Sequence, residues 1–381
     1  MVFIDPRGVI SRSGDSLNRH VNYAKKLAEE ISGTEYKPVD VYLFTALNPD
    51  LRDKPENGDL SIQVFGNAKR FSFGYLIWSV KILKKAEFSR TLLIVGDPWE
   101  SFLHALIVKR LVNQEIVIQT NIHADVFDIK WINQKIINRF RSKLAWYSIK
   151  RSDSIRVVSE NMLAVIQERY PDKSVAYAPI ATSISGRVTS SQNFEYAHPL
   201  TLGWVGRVEK DRGILEFINF VRNLNKKNQE FQVVMAGSGY LLDHVLDELN
   251  SVLGETRFTY LGLLPQEELG KVFEQMDILI SFAESESYGL AIREALLFGK
   301  PVLGVKSGGI SRLQAIVGSK HVGCLENFDD ISIVESAIQK LLASEIQVET
   351  IKKLKEQDKT YLATLIQSWL ALLFPKFQGG H

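Results

Sequence analysis

The sequence predicts an α/β protein of two domains built on parallel sheets, and three observations carry that expectation. Short apolar runs recur with helical segments between most of them, the pattern of a parallel sheet covered on both faces. The alternation is interrupted once, by a polar and aperiodic stretch from Ala181 to Pro199, and then resumes. The 381 residues are enough for about two to three domains. The expected boundaries are residues 1–182 for the first domain, 183–199 for a linker, 200–359 for the second domain, and 360–378 for a closing helix.

Composition narrows the class. Hydrophobic residues make up 45% of the chain, so sizeable cores need no covalent staples. The single cysteine, Cys324, excludes an intrachain disulfide and fits a reducing compartment. No apolar run approaches the roughly 20 residues of a membrane span. The opening Met-Val-Phe-Ile-Asp-Pro lacks a basic leader and an apolar signal core, so a cytoplasmic protein is expected. The net charge of +2 says little until its distribution is followed along the chain.

Val2-Phe-Ile-Asp5 reads as the first strand, followed by a polar loop through Arg12, Gly14 and Asp15, with Ser16 as a candidate cap for a helix to Glu30. Strand-like runs follow at Val39–Thr45, Ser61–Phe65, Thr91–Val95 and Ile116–Thr120, the last leading to His123 and Asp125. From Asp128 to Arg151 the chain turns basic, with Lys130, Lys135, Arg139, Arg141, Lys143, Lys150 and Arg151 against the single acid Asp128. Aromatic and aliphatic residues, among them Trp131, Ile136, Phe140, Trp146 and Tyr147, interleave with these charges. Two readings stand side by side: a solvated face over a core stripe, or a basic amphipathic segment on an anionic bilayer. No nucleic-acid-binding motif accompanies the charge, so no nucleic-acid partner is expected. Asp153–Ser159 reads as a strand entering a Ser159-capped helix from Glu160 to Tyr170.

Leu200–Arg207 opens the second half with a strand and the loop Arg207-Val-Glu-Lys-Asp-Arg-Gly213. Gln232–Tyr240 is a strand running into Gly237-Ser-Gly239; the absence of a third glycine at Leu242 argues against a nicotinamide dinucleotide fingerprint. Phe258–Gly262 is a further strand and Gln266–Met276 a helix. Then comes Ser281-Phe-Ala-Glu-Ser-Glu-Ser-Tyr-Gly-Leu-Ala-Ile-Arg-Glu-Ala-Leu-Leu-Phe-Gly-Lys-Pro301, between two short buried strands. Its helix, Leu290 to Phe298, stops at Gly299 with Pro301 beyond. It is apolar nearly all round yet contains Glu294, and a buried carboxylate needs a partner from outside the helix. The helix N-terminus at Gly289 and Leu290 offers free amides to an anion. Asp329-Asp330 reads as a loop rather than a metal site, and the tail from Thr360 to Phe374 places Tyr361, Leu365, Trp369 and Leu372 at helical spacing.

Glu286 and Glu294, separated by seven residues within Glu-Ser-Tyr-Gly-Leu-Ala-Ile-Arg-Glu and followed by Gly299-Lys-Pro-Val302 and Gly308-Gly309, resemble the motif of the retaining family-4 glycosyltransferases of the GT-B fold. The resemblance is strong over 200–310 and weak over 1–180. It implies two Rossmann-like domains facing a central cleft, and transfer of a hexosyl or N-acetylhexosaminyl group from a nucleotide-diphosphate sugar to an acceptor hydroxyl with retention. Polysaccharide or lipid-linked glycan synthesis is the implied setting. It further implies that Arg207 and Arg212 clamp the diphosphate, with Lys210 as a rival to Arg212. His123 would meet the donor sugar, Glu286 its hydroxyls and Glu294 the ribose. Gly206, Ser287, Tyr288, Gly289 and Leu290 would line the donor site. Gly14 matches a glycine-rich first loop only in part, and a plain βα turn accounts for it equally. No metal and no cofactor is implied; the acceptor would be a glycan or lipid-linked, reached on the inner face of the cell membrane if residues 128–151 dock there. Arg312 stands where the family usually has an acid. A sugar-nucleotide epimerase of the same fold, or a catalytically silent binding subunit, are the alternative classes.

Overall fold

The computed structural model describes residues 1–5, 14–32, 40–46, 56–57, 60–67, 73–86, 90–112, 115–180, 182, 199–227, 229–265 and 268–375. The expectations for Arg12 and for linker residues 183–198 lie outside these. The chain divides into two compact units, Met1–Pro179 with Thr360–His381, and Ile180–Lys359.

In the first unit β1 (Val2–Asp5), β2 (Val41–Ala46), β3 (Glu56–Asn57), β4 (Leu60–Asn67), β5 (Arg90–Val95), β6 (Glu115–Ile122), β7 (Ser154–Val157) and β8 (Val175–Tyr177) form one sheet in the order β3-β4-β2-β1-β5-β6-β7-β8. All neighbours are parallel except the short β3–β4 pair. Alternation sorts the strand residues onto two faces. Phe3, Leu43, Leu92 and Ile94 meet α1 (Gly14–Ile31), while Val2, Ile4, Phe44, Leu93 and Val95 meet α2 (Phe73–Lys85) and α3 (Glu100–Leu111). The basic stretch resolves into α4 (Ile129–Gln134), capped by Asp128, and α5 (Ile136–Arg151); α6 (Glu160–Arg169) is capped by Ser159 as the sequence predicts. Ser16, the expected cap of α1, is a correction: the helix already runs through it from Gly14.

The second unit has β9 (Leu200–Val205), β10 (Phe231–Ala236), β11 (Phe258–Tyr260), β12 (Ile278–Ser281), β13 (Val302–Val305) and β14 (Val322–Leu325), all parallel in the order β11-β10-β9-β12-β13-β14. Its helices are α7 (Ile214–Lys226), α8 (Leu242–Leu253), α9 (Gly270–Gln275), α10 (Leu290–Leu297), α11 (Gly308–Val317) and α12 (Ile331–Leu342). Asp330, expected in a loop, caps α12 by accepting the amides of Ser332 and Ile333.

The last helix, α13 (Val348–Leu373), starts twelve residues before the position the sequence suggests. Its first part gives Ile351 and Leu354 to the core of the second unit, and its later part gives Leu365, Ile366, Trp369 and Leu370 to the core of the first. Buried Trp369 donates its indole N–H to Gln119 Oε1 at 2.6 Å, and Gln119 Nε2 donates to Ser368 Oγ at 3.0 Å. That exchange satisfies a polar side chain held inside β6.

Candidate active site

In the second unit the strand order reverses between β9 and β12, which are neighbours although two other strands separate them in the chain. The loops leaving the carboxyl ends of two such strands diverge and leave a crevice for a ligand. The β9 loop supplies Arg207 to Gly213, and the β12 loop supplies Phe282 to Gly289. They meet where Arg212 Nη1 donates to Glu286 Oε2 at 2.6 Å, a half-buried pair. Gly213 makes this approach possible. It holds φ 71°, and a Cβ there would lie 2.3 Å from the carbonyl oxygen of Phe282.

Glu286 is held from a second side. Its Oε1 accepts the amides of Tyr288 at 3.4 Å and Gly289 at 3.1 Å, the donors just ahead of α10. Those amides carry the positive end of the helix dipole. The start of α11 closes in beside them: Gly309 N donates to the Glu286 carbonyl at 2.7 Å, and Ser307 caps that helix through Ile310 N at 3.3 Å. The Glu286 carboxylate therefore rests on a guanidinium and two helix-terminal amides, an environment built for an anion.

Helix α10 is buried on nearly all sides, and Glu294 is only 3% exposed within it. Its C-terminus closes with Gly299 N donating to Leu296 O and Lys300 N to Ala295 O, the paired bonds that a left-handed residue after a helix allows. The neighbouring Arg293 is buried as well, at 1% exposure, and pairs through Nε with Asp358 Oδ1 of α13 at 2.9 Å. Burial pushes the Asp358 carboxyl up and the Arg293 charge opposes that shift. Asp358 also accepts from the Thr182 amide at 3.3 Å and hydroxyl, and from Tyr288 Oη at 3.4 Å. The guanidinium of Arg312 lies 5.9 Å from the centre of the Tyr288 ring. Sequence reasoning missed Asp358 and Thr182, because an acid within Lys355-Glu-Gln-Asp-Lys359 carries the signature of a solvated run.

The other predicted residues of the second unit lie on these two loops and at the start of α10. Arg207 is half exposed and engaged by acids of its own loop, Glu209 and Asp211, the latter at 3.3 Å. Lys210 is exposed, and its amide donates to Tyr240 Oη at 3.2 Å. Gly206 leaves β9 with its amide on Ala236 O at 3.1 Å. The second loop in this row, Gly237-Ser-Gly239, packs backbone to backbone against it: a Cβ on Gly239 would lie 2.3 Å from Val208 O. The two glycines the sequence offered as a weak dinucleotide signal thus serve loop packing. Ser287 is half-buried and Leu290 begins α10. His123 and Gly14 belong to the first unit. His123 is exposed just after β6, near Asp125, which accepts from Asn161 Nδ2 at 2.9 Å; burial pushes the Asp125 carboxyl up. Gly14 is the first residue of α1. Among the described residues no group of three or more His, Cys, Asp or Glu is placed to hold a metal ion.

Residues 189–360 match the family model described as Glycosyl transferases group 1. The chain is 25% identical over 217 residues to a D-inositol 3-phosphate glycosyltransferase of Corynebacterium urealyticum, covering 52% of this chain and 50% of that protein. It is 23% identical over 288 residues to the sulfoquinovosyl transferase SQD2 of Arabidopsis thaliana, covering 72% and 54%. It thus spans about half the length of these curated relatives. Among solved structures, a sucrose-phosphate synthase from Thermosynechococcus elongatus superposes with a TM-score of 0.66 at 17% identity, over 98% of both chains. Anabaena HepE in complex with UDP and glucose gives 0.63 at 15% identity, over 99% of both. The fold is GT-B, and within it residues 189–360 are similar to the glycosyl transferases group 1 family.

Proposed function

We propose that this chain is a retaining glycosyltransferase that moves a sugar from a nucleotide-diphosphate donor to an acceptor hydroxyl. The carrying observation is the Glu286 carboxylate held by Arg212 at 2.6 Å and by the amides of Tyr288 and Gly289. A donor diphosphate brings stronger anionic oxygens to the same donors. It takes over Arg212 and the α10 amides, and frees Glu286 to turn to the sugar hydroxyls. In the transition state charge builds on the departing diphosphate, where positioned cations and amides stabilise it most. Arg212 sits at that position, and Arg207 joins it by exchanging its loop acids for phosphate. Lys210 lies at the rim. Glu294 takes the ribose hydroxyls, with Gly206, Ser287 and Leu290 shaping the pocket, and His123 and Gly14 serve from the first unit. The reading needs no metal.

The UDP complexes among the structural neighbours make UDP-sugars the first donors to test. Melting of the purified chain should rise with UDP-sugar concentration, as for any ligand bound by the folded state alone. Turnover in the presence of a chelator should match turnover without it. Arg212→Ala removes a charge-assisted contact of about 1.5–3 kcal/mol, so the melting shift should fall at least about tenfold in apparent affinity. An unchanged shift would end this reading. Product analysis separates the epimerase alternative, which would return an altered nucleotide sugar without needing an acceptor. The acceptor is proposed to be a glycan or lipid-linked, approached from an anionic membrane surface through residues 128–151, in the setting of polysaccharide or glycolipid synthesis.

A further inference from the structure

The first half of helix α5 is built inside out. There its inward side presents Asn138 and Ser142 to the protein, while Ile136 is 79% exposed, Phe140 64% and Ile137 50%; the second half buries Ala145 and Ile149 in the ordinary way. The hydrophobic effect alone would reverse that arrangement, so the outward apolar residues call for an apolar neighbour outside the molecule.

The feature extends beyond residues 128–151. On α3, Leu103, Ile107 and Leu111 form a stripe at spacings of four, each more than two-fifths exposed, on the side opposite buried Phe102, Ala105 and Val108. On α2, Phe73 at 77% exposure and Ile77 continue the same spacing on the side opposite Tyr75 and Leu83. These helices are neighbours in one layer. α2 and α3 cover the same sheet face, and α3 meets α5 where Phe102 packs edge-on to Tyr147 and Arg141 lies over Trp99.

Charge selects the occupant. Helices α2 to α5 carry eleven lysines and arginines against one acid, Glu100, in a chain whose net charge is +2. Two copies of such a face would repel each other, which disfavours a dimer through it. An anionic bilayer answers both properties, with headgroups for the cations and acyl chains for the apolar stripes.

We infer that the outer layer α2–α3–α5 is a single bilayer-docking face, in which Leu103, Ile107 and Phe73 insert alongside the apolar side chains of α5. This rests on the membrane reading above but assigns insertion to two helices outside the basic segment.

The test is co-sedimentation of the full chain with vesicles of phosphatidylcholine, with and without about 30% phosphatidylserine, at two salt concentrations. Parent protein should bind the anionic vesicles, and Leu103→Ser with Ile107→Ser should weaken that binding at least about tenfold. Donor melting shifts and turnover on a soluble acceptor should be unchanged, which certifies the fold. Raised salt should weaken binding of parent and variant alike. If parent stays in the supernatant, both the membrane reading and this inference fall. If parent and the α3 variant bind equally while neutralising Lys135, Arg139 and Lys143 releases the protein, docking belongs to residues 128–151 alone and this inference is overturned. A mass measurement showing a dimer that the α3 variant abolishes would assign the face to a second copy and overturn it as well.

Discussion

At the scale of single residues, Glu286 and Arg212 were each legible, but not their relation. Sequence spacing marked a carboxylate for sugar hydroxyls and a cation for phosphate; only the fold shows them 2.6 Å apart, each holding the other. Strand order is the reason, since their loops lie 74 positions apart in sequence and meet because β9 and β12 are adjacent. The pairing has a testable consequence. Glu286→Gln keeps the shape and removes the charge that competes for Arg212. UDP should then bind the variant more tightly than the parent, by several-fold, because no carboxylate need be displaced. Turnover should drop at least about tenfold, since the hydroxyl contact made in the transition state is weakened. Titration calorimetry with UDP, run beside steady-state rates, checks both; a variant with weaker UDP binding and parental turnover would remove Glu286 from the site.

At the scale of elements, α10 shows where pattern reading stops. An apolar helix carrying one acid announced a buried Glu294, and it is buried. Arg293 gave no such signal, because consecutive helical residues are about 100° apart and one of two charged neighbours ordinarily reaches solvent. Here the helix is enclosed, so both lie inside, and Arg293 requires the carboxylate of Asp358. The same pair explains why α13 begins early. Lys355 to Lys359 looks like a solvated connection, yet Asp358 faces inward to Arg293, Tyr288 and Thr182. Removing one partner of a buried pair leaves the other charge stranded, at a cost of about 3–5 kcal/mol. Asp358→Ala should therefore lower the urea midpoint of the second unit clearly, whereas Asp358→Asn, which keeps an acceptor for Arg293, should cost less. Denaturation curves that superpose on the parent's would show that the pair contributes nothing to stability. Strand and helix types elsewhere were legible from periodicity, with most boundaries shifted by a residue or two and the start of α9 by four, from Gln266 to Gly270.

At the scale of the whole molecule, alternation of strands and helices announced two α/β units but not the pairing of distant segments inside each. Two histidines make the first unit sensitive to acid, half-buried His20 and buried His104, each with its pKa lowered to about 4 chiefly by desolvation. His104 is buried between α2 and α3 with its pKa lowered to about 4 by desolvation. Ser79 donates its hydroxyl to Leu76 O at 2.9 Å, so the 3.0 Å contact has His104 Nε2–H donating to Ser79 Oγ. The unfolded chain protonates this histidine near pH 6.5, and the folded chain resists until about 4. Between those values the unfolded state binds more protons, so stability is full above the window and falls with pH through it, by up to about 3 kcal/mol. His104→Gln should reduce that slope of unfolding free energy against pH and leave the share due to His20; an unchanged slope would remove His104 from the acid sensitivity. Finally, the first unit draws Leu365, Trp369 and Leu370 from beyond the whole of the second unit. During synthesis this sheet must therefore wait for the later part of α13, with one face covered by α1 alone while residues 180–359 are made as an uninterrupted block. At ribosomal speeds of about 5–20 residues per second that delay is on the order of 10 to 40 seconds. The first unit to emerge is the last to close, and its unfinished sheet is where chaperones have the longest opportunity to bind.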